Sequence, residues 1–183
     1  MTRRKIILGA VIGSAVLGVA ALVGVAGHYA ILKDDDDDDD DGRDAVARGS
    51  RFAKVSLQQG LDASEQEGQP ISGKFEVDGG KFQLSVYTSK DGKFSEVLVD
   101  YLTGQIAKVE PITKSEDLAA AQSRSAAMAK AKISLRETVE KTLAEAVGFR
   151  ALGAIPNLKE GRAVASVLVL KGEEFKVINQ AME

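Results

Sequence analysis

Ala53-Lys54-Val55-Ser56-Leu57 returns 78 positions later as Ala131-Lys132-Ile133-Ser134-Leu135, and this repetition divides the 183-residue chain. In both copies the serine reads as a helix N-cap with a reciprocal partner three residues on: Gln59 for Ser56 and Glu137 for Ser134. The first predicted helix covers about residues 56–67, with Leu57 and Leu61 on one face and Gly60, a helix weakener, inside it. The second carries a clearer apolar stripe in Leu135, Val139, Leu143 and Ala146.

Strand-like alternation follows each helix. After the first, Phe75 and Val77 alternate with polar residues before a turn at Asp78-Gly79-Gly80. Phe82, Leu84 and Val86 come next, then a turn at Lys90-Asp91-Gly92. Val97 and Val99 follow, and Thr103-Gly104 ends that run before Ile106 and Val109. After the second helix, residues 149–155 read as a strand and residues 156–161 as a turn. Residues 163–170 (AVASVLVL) are apolar on both faces, as a covered central strand would be. Lys171-Gly172 turns the chain into a last strand with Phe175, Val177 and Ile178. Between the copies, Thr113 with Glu116 predicts a capping box opening an Ala-rich connecting helix through Met128, with Leu118, Ala121, Ser125 and Met128 on one side. One unit of this size is marginal alone, while two packed together bury more surface.

Upstream, residues 6–32 contain no Asp, Glu, Lys or Arg. A bilayer core of about 30 Å is crossed by roughly 20 helical residues, so this run predicts a transmembrane helix. Arg3, Arg4 and Lys5 precede it, which places the N-terminus in the cytoplasm and the rest outside. A cleaved signal peptide, cut after Ala26, is the alternative, and both readings export the remainder. Small-residue pairs such as Gly9 and Gly13 would let two such helices approach and self-associate. Asp34 to Asp41 form an unbroken acidic run, expected to be a disordered, solvated spacer. The sharper reading of that run, a collector of Ca²⁺ or Mg²⁺, lacks the spaced ligands and shaped turns of a selective site.

The chain has no Cys and one His, His28. Disulfides, thiolate metal sites, cysteine nucleophiles, multi-histidine metal sites and a Ser-His-Asp triad are thereby excluded. By segment, residues 1–33 have four basic and no acidic residues, and residues 42–183 have 20 basic and 19 acidic residues. That balance gives no electrostatic footprint for nucleic acid. Lys132 with Ser134, or Ser89 with Lys90, could be written as a Ser/Lys hydrolase pair. Those serines already have work as a cap and a turn residue. Gly79-Gly80 lies between two strands, so it is no phosphate loop. The residues predict no enzyme, catalytic residue, metal or cofactor.

The capped helix, the hairpin, Asp91-Gly92, and Val97-x-Val99-Asp100-x-x-Thr103-Gly104 together resemble the PepSY domain over about residues 51–111, and more loosely over 131–183. The second copy ends its last strand without Asp or Thr-Gly. Ser56, Ser134, Asp91, Gly92, Val97, Val99, Asp100, Thr103 and Gly104 are structural motif residues in this reading: Asp100 is a side-chain acceptor for a tight turn and Gly104 a residue free to take positive φ. The resemblance implies an α+β fold of two PepSY-like units, each a helix followed by a small antiparallel sheet, behind the N-terminal transmembrane helix. The expected parts are an anchor or signal at 1–33, an acidic disordered linker at 34–50, a first unit at 51–112, a connecting helix at 113–130 and a divergent second unit at 131–183. PepSY-like domains occur in propeptides of thermolysin-like peptidases and in exported or membrane-tethered bacterial proteins, and peptidase regulation has been proposed for them. The resemblance thus implies a non-catalytic protein of the bacterial cell membrane, its C-terminal part periplasmic or extracellular (or secreted if cleaved). Its modules would bind or modulate a protein partner, a peptidase foremost, by exposed strand edges. The alternative is a structural envelope protein with a cation-responsive acidic tether.

Overall fold

Both serine caps form as reciprocal boxes. Ser56 Oγ accepts from the Gln59 N–H at 3.2 Å while Gln59 Oε1 accepts from the Ser56 N–H at 2.8 Å. Ser134 and Glu137 repeat the arrangement at 3.1 and 2.7 Å. These caps start two of the four helices in a computed structural model that describes residues 39–183. The transmembrane helix expected at 6–32, its self-association and residues 34–38 of the aspartate run lie outside the described residues. Among the described residues, no helix is long and apolar enough to cross a membrane.

In chain order the elements are α1 (Asp39–Ser50), α2 (Leu57–Ser64, prolonged by a 3₁₀ turn at Glu65–Glu67), β1 (Gln69–Asp78), β2 (Lys81–Lys90), β3 (Lys93–Val99), β4 (Ile106–Pro111), α3 (Ser115–Met128), α4 (Leu135–Glu145), β5 (Arg150–Lys159), β6 (Arg162–Lys171) and β7 (Glu174–Ala181). The expectation of two small sheets is corrected. All seven strands join in one antiparallel sheet, ordered β4-β3-β2-β1-β5-β6-β7. The units meet where β1 pairs with β5, Gly73 opposite Ala154 and Lys74 opposite Gly153. A sheet that buries apolar side chains gains more by extending across this junction than by leaving two inner edges unpaired.

The two halves match closely. Each strand of β1–β3 has a counterpart in β5–β7 that starts 81 residues later, whereas the caps lie 78 residues apart. Each half has one bulge at the same place, at Ile71 in β1 and Leu152 in β5, and both side chains are fully buried. Three of the four hairpin turns, at Gly79-Gly80, Asp91-Gly92 and Glu160-Gly161, carry positive φ at both central residues, the conformation that matches strand twist.

Strand alternation separates the two faces. Gly73, Phe75, Leu84, Val86, Val97 and Val99 face α2; a side chain at Gly73 would meet Leu61 at 3.1 Å and Leu57 at 3.3 Å. Gly60, read as a helix weakener, lies where α2 rests directly on Leu84. α4 packs beside α2 and over β5–β7. The opposite face, carrying Ser72 and Tyr87, is crossed by α3, whose Arg124 reaches both.

Three local expectations change. The acidic linker at 34–50 is helical from Asp39 onward, and Gly49 seats α1 on the Phe82 ring. The box predicted for Thr113 and Glu116 is absent, because α3 starts at Ser115 after Lys114 with no side-chain cap. The turn predicted at 156–161 shrinks to Glu160-Gly161, with Pro156 inside β5 opposite Ala165. Proline fits there because the β1 ladder has ended by that point and asks no amide of it.

Ser56→Ala and Ser134→Ala should each cost about 1 kcal/mol, as lost N-caps do. Ile71→Ala and Leu152→Ala should each cost about 2–5 kcal/mol, as large-to-small changes in a packed core do. Urea denaturation of the four variants checks both ranges.

Candidate functional site

The PepSY-like motif residues build joints. Val97 and Val99 point into the core, at 0% and 3% exposure. Asp91 and Gly92 form the β2–β3 turn at the far end of the hairpin, with φ of 51° and 75°. At the other end, Asp100 Oδ1 accepts the N–H groups of Leu102 and Thr103, each at 2.8 Å. The Gly104 N–H donates to the Asp100 carbonyl at 2.8 Å, with Gly104 at φ +77°. Thr103 Oγ1 accepts from the Gln105 N–H at 3.4 Å. The backbone N–H of Thr103, then that of Leu102, holds the Asp100 carboxyl below its ordinary range.

This turn presents the Tyr101 carbonyl to the N–H groups of Lys54 and Val55, at 2.9 and 3.1 Å. The end of β3 is thereby tied to the start of α2, two residues before the Ser56 cap. In the second half the Met182 carbonyl accepts from the Lys132 N–H at 2.8 Å, so the same tie forms without Asp or Thr-Gly. Asp100 and Ser56 are thus brought close together, Asp91-Gly92 is remote, and Ser134 serves the other half.

Sequence reading missed a polar cluster under α3. Lys74 Nζ and the Glu76 carboxylate form an ion pair at 2.5 Å, Ser85 Oγ donates to Glu76 Oε1 at 2.6 Å, and Gln83 Nε2 donates to both. Beside it, Arg124 donates to Ser72 Oγ at 3.1 Å and lies 5.3 Å from the centre of the Tyr87 ring. The signal was available: Lys74, Glu76, Gln83, Ser85 and Tyr87 alternate with Phe75, Leu84 and Val86. Burial alone would raise the Glu76 pKa, but the Lys74 charge and hydrogen bonds from Lys74, Ser85 and Gln83 outweigh it and hold the carboxyl below its ordinary value. Burial, then the Glu96 and Glu76 charges, raise the Tyr87 phenol well above its usual value. Arg124, through Ser72 and Tyr87, ties α3 to the sheet.

Among the described residues, no three His, Cys, Asp or Glu side chains gather as a metal site. The most accessible features are instead the two outer strands. β4 lies along β3, its surface carrying a Lys108–Glu110 ion pair at 2.8 Å and its end closed by Pro111, features that discourage further pairing. β7 is the other outer strand. Ile178 of β7 stands where Val97 stands in β3; Val97, flanked by β4, is fully buried and Ile178 is half-buried.

No protein-family model matches the chain, and no curated protein does. Among solved structures, a Clostridium difficile 630 protein provisionally described as a lipoprotein aligns with a TM-score of 0.42 and 15% identity, over 72% of this chain and 88% of that one.

The Glu76 carboxyl has an ordinary value of 4.5 and a lower one when folded. Its contribution to stability is therefore complete above the ordinary value and is lost as pH falls through the folded one. Denaturation midpoints should drop on acidification below pH 4.5 in the native protein, and less steeply in Glu76→Gln.

Proposed function

We propose that the chain is a non-catalytic, membrane-anchored exported protein whose PepSY-like halves form one docking module, and that β7 receives an extended strand of a partner protein. The apolar run at 6–32 and the basic residues before it support the anchor and the outward orientation. One observation carries the docking reading: β3 has β4 along its outer side, and β7, its mate in the second half, has no strand there among the described residues. The chain thus contains its own example of the contact, with β4 antiparallel to β3 and covering Val97. A strand added to β7 in the same sense would cover Ile178 and pair the outward-facing amides, which gives affinity from the main chain alone.

The PepSY resemblance directs the choice of partner to a thermolysin-like peptidase. Held on the β7 edge, a segment of such an enzyme would lose freedom near its substrate cleft, and its activity would change. Hydrogen exchange checks this with full-length protein in a neutral detergent, alone and with a thermolysin-like peptidase. The expected outcome is slower amide exchange confined to residues 174–181, together with altered peptidase turnover. Unchanged exchange in β7 with unchanged turnover would overturn the reading.

A further inference from the structure

The start of β5 and the end of β6 enclose, with the end of α1, a surface cavity of about 450 Å³ whose charged lining residues are Arg51, Arg150 and Lys171. A neighbouring cavity of about 410 Å³ shares Phe149 and Arg150 and adds Lys54. No Asp or Glu lines either one. Among the described residues, the ion pairs use Lys74, Lys108, Arg136, Arg162 and Lys176, and none involves these four cations.

Arg150 is the central member. Its guanidinium is half-buried, donates to the Ser50 carbonyl and lies 5.9 Å from the centre of the Phe75 ring, with no carboxylate opposite among the described residues. Burial, with no charged neighbour contributing, lowers its pKa. Lys171 is held by the Val147 carbonyl at 3.4 Å and the Phe149 ring at 5.6 Å, again by no acid. A partly desolvated cation left without a counterion is costly, and a bound anion offsets that cost. Gly148, at φ +83°, makes room: a Cβ there would meet Lys171 Nζ at 3.2 Å.

The duplicated fold does not require this charge. The first-half positions matching Arg150, Lys171 and Gly172 hold Gln69, Lys90 and Asp91, one base and one acid where the second half has two bases. Arg150 and Lys171 therefore come from the second half alone, and Arg51 and Lys54, before α2, complete the set.

We propose that this cavity is a binding site for a phosphate group, carried on a small molecule or a lipid headgroup. Two guanidinium forks match the oxygens of a phosphate, a third cation suits its second negative charge, and the cavity has room for the group that carries it. This site is independent of strand docking at β7.

Calorimetric titration tests it, with full-length protein in a neutral detergent at constant ionic strength and inorganic phosphate or glycerol 3-phosphate as probe. The expected result is saturable binding of both, weakened about tenfold or more in Arg51→Ala and in Lys171→Ala, the loss typical of one charge-assisted contact. Lys108→Ala, which removes a cation of β4 already paired with Glu110 at 2.8 Å, should bind normally. Nanodiscs separate the sources. Phosphate binding that persists with phosphatidylglycerol present assigns the site to a soluble ligand; binding seen with phosphatidylcholine alone and lost with phosphatidylglycerol assigns it to a headgroup. No saturable heat, succinate binding as tightly as phosphate, or affinity untouched in both Arg51→Ala and Lys171→Ala would overturn the proposal.

Discussion

The β1–β5 pairing is the contact on which the architecture depends. It is a short ladder, Gly73 to Ala154 and Lys74 to Gly153, yet it joins a four-stranded and a three-stranded antiparallel system into one sheet with a common core. Three of its four residues are small, Gly73, Gly153 and Ala154, because neighbours occupy the space a larger side chain would need. A side chain at Gly73 would strike Leu57 and Leu61 of α2, and one at Gly153 would press on Lys74 at 3.4 Å. The bulges at Ile71 and Leu152 immediately precede the paired segment in each strand. A bulge bends its strand and increases local twist. Two of them related by the duplication let the strands meet at mid-length and diverge afterwards. Their side chains fill the core on either side of the join.

That dependence explains what was legible in the sequence. The helices were, because a capping box is a local device: Ser56 with Gln59 and Ser134 with Glu137 are each complete within four residues. The hairpins were, because Gly79-Gly80 and Asp91-Gly92 state their turn chemistry between alternating runs. The union of the halves was not. It is made by backbone between residues about eighty apart, and glycine leaves no pattern to read. Gly60 shows the same blindness, a local weakness that becomes a close helix-to-sheet contact once Leu84 is placed beneath it. Charge misled at α1, where an acidic run reads as unfolded until the ring of Phe82 is placed against Gly49 of the same helix. Of the proposed sites, the uncovered β7 edge needed the sheet order, and the cation cavity needed three separated segments brought together.

A duplicated fold constrains both copies alike wherever stability demands it, so the places where the copies differ are free to carry function. Here the shared features are the caps, the bulges, the turns and the tie from a strand-end carbonyl to the segment before each helix. The first half spends its distinguishing residues on closure: Asp100, Thr103 and Gly104 turn the chain into β4, which covers β3. Among the described residues the second half has neither that turn nor that cover, and Arg150 and Lys171 at the open end of its β5–β6 hairpin have no ion-pair partner. Both asymmetries fall on the same half and in neighbouring places, since the Lys171-Gly172 turn that helps line the cavity leads directly into β7. Both sites proposed above therefore draw on the half whose outer strand is left uncovered among the described residues, and the first half closes its own edge with β4.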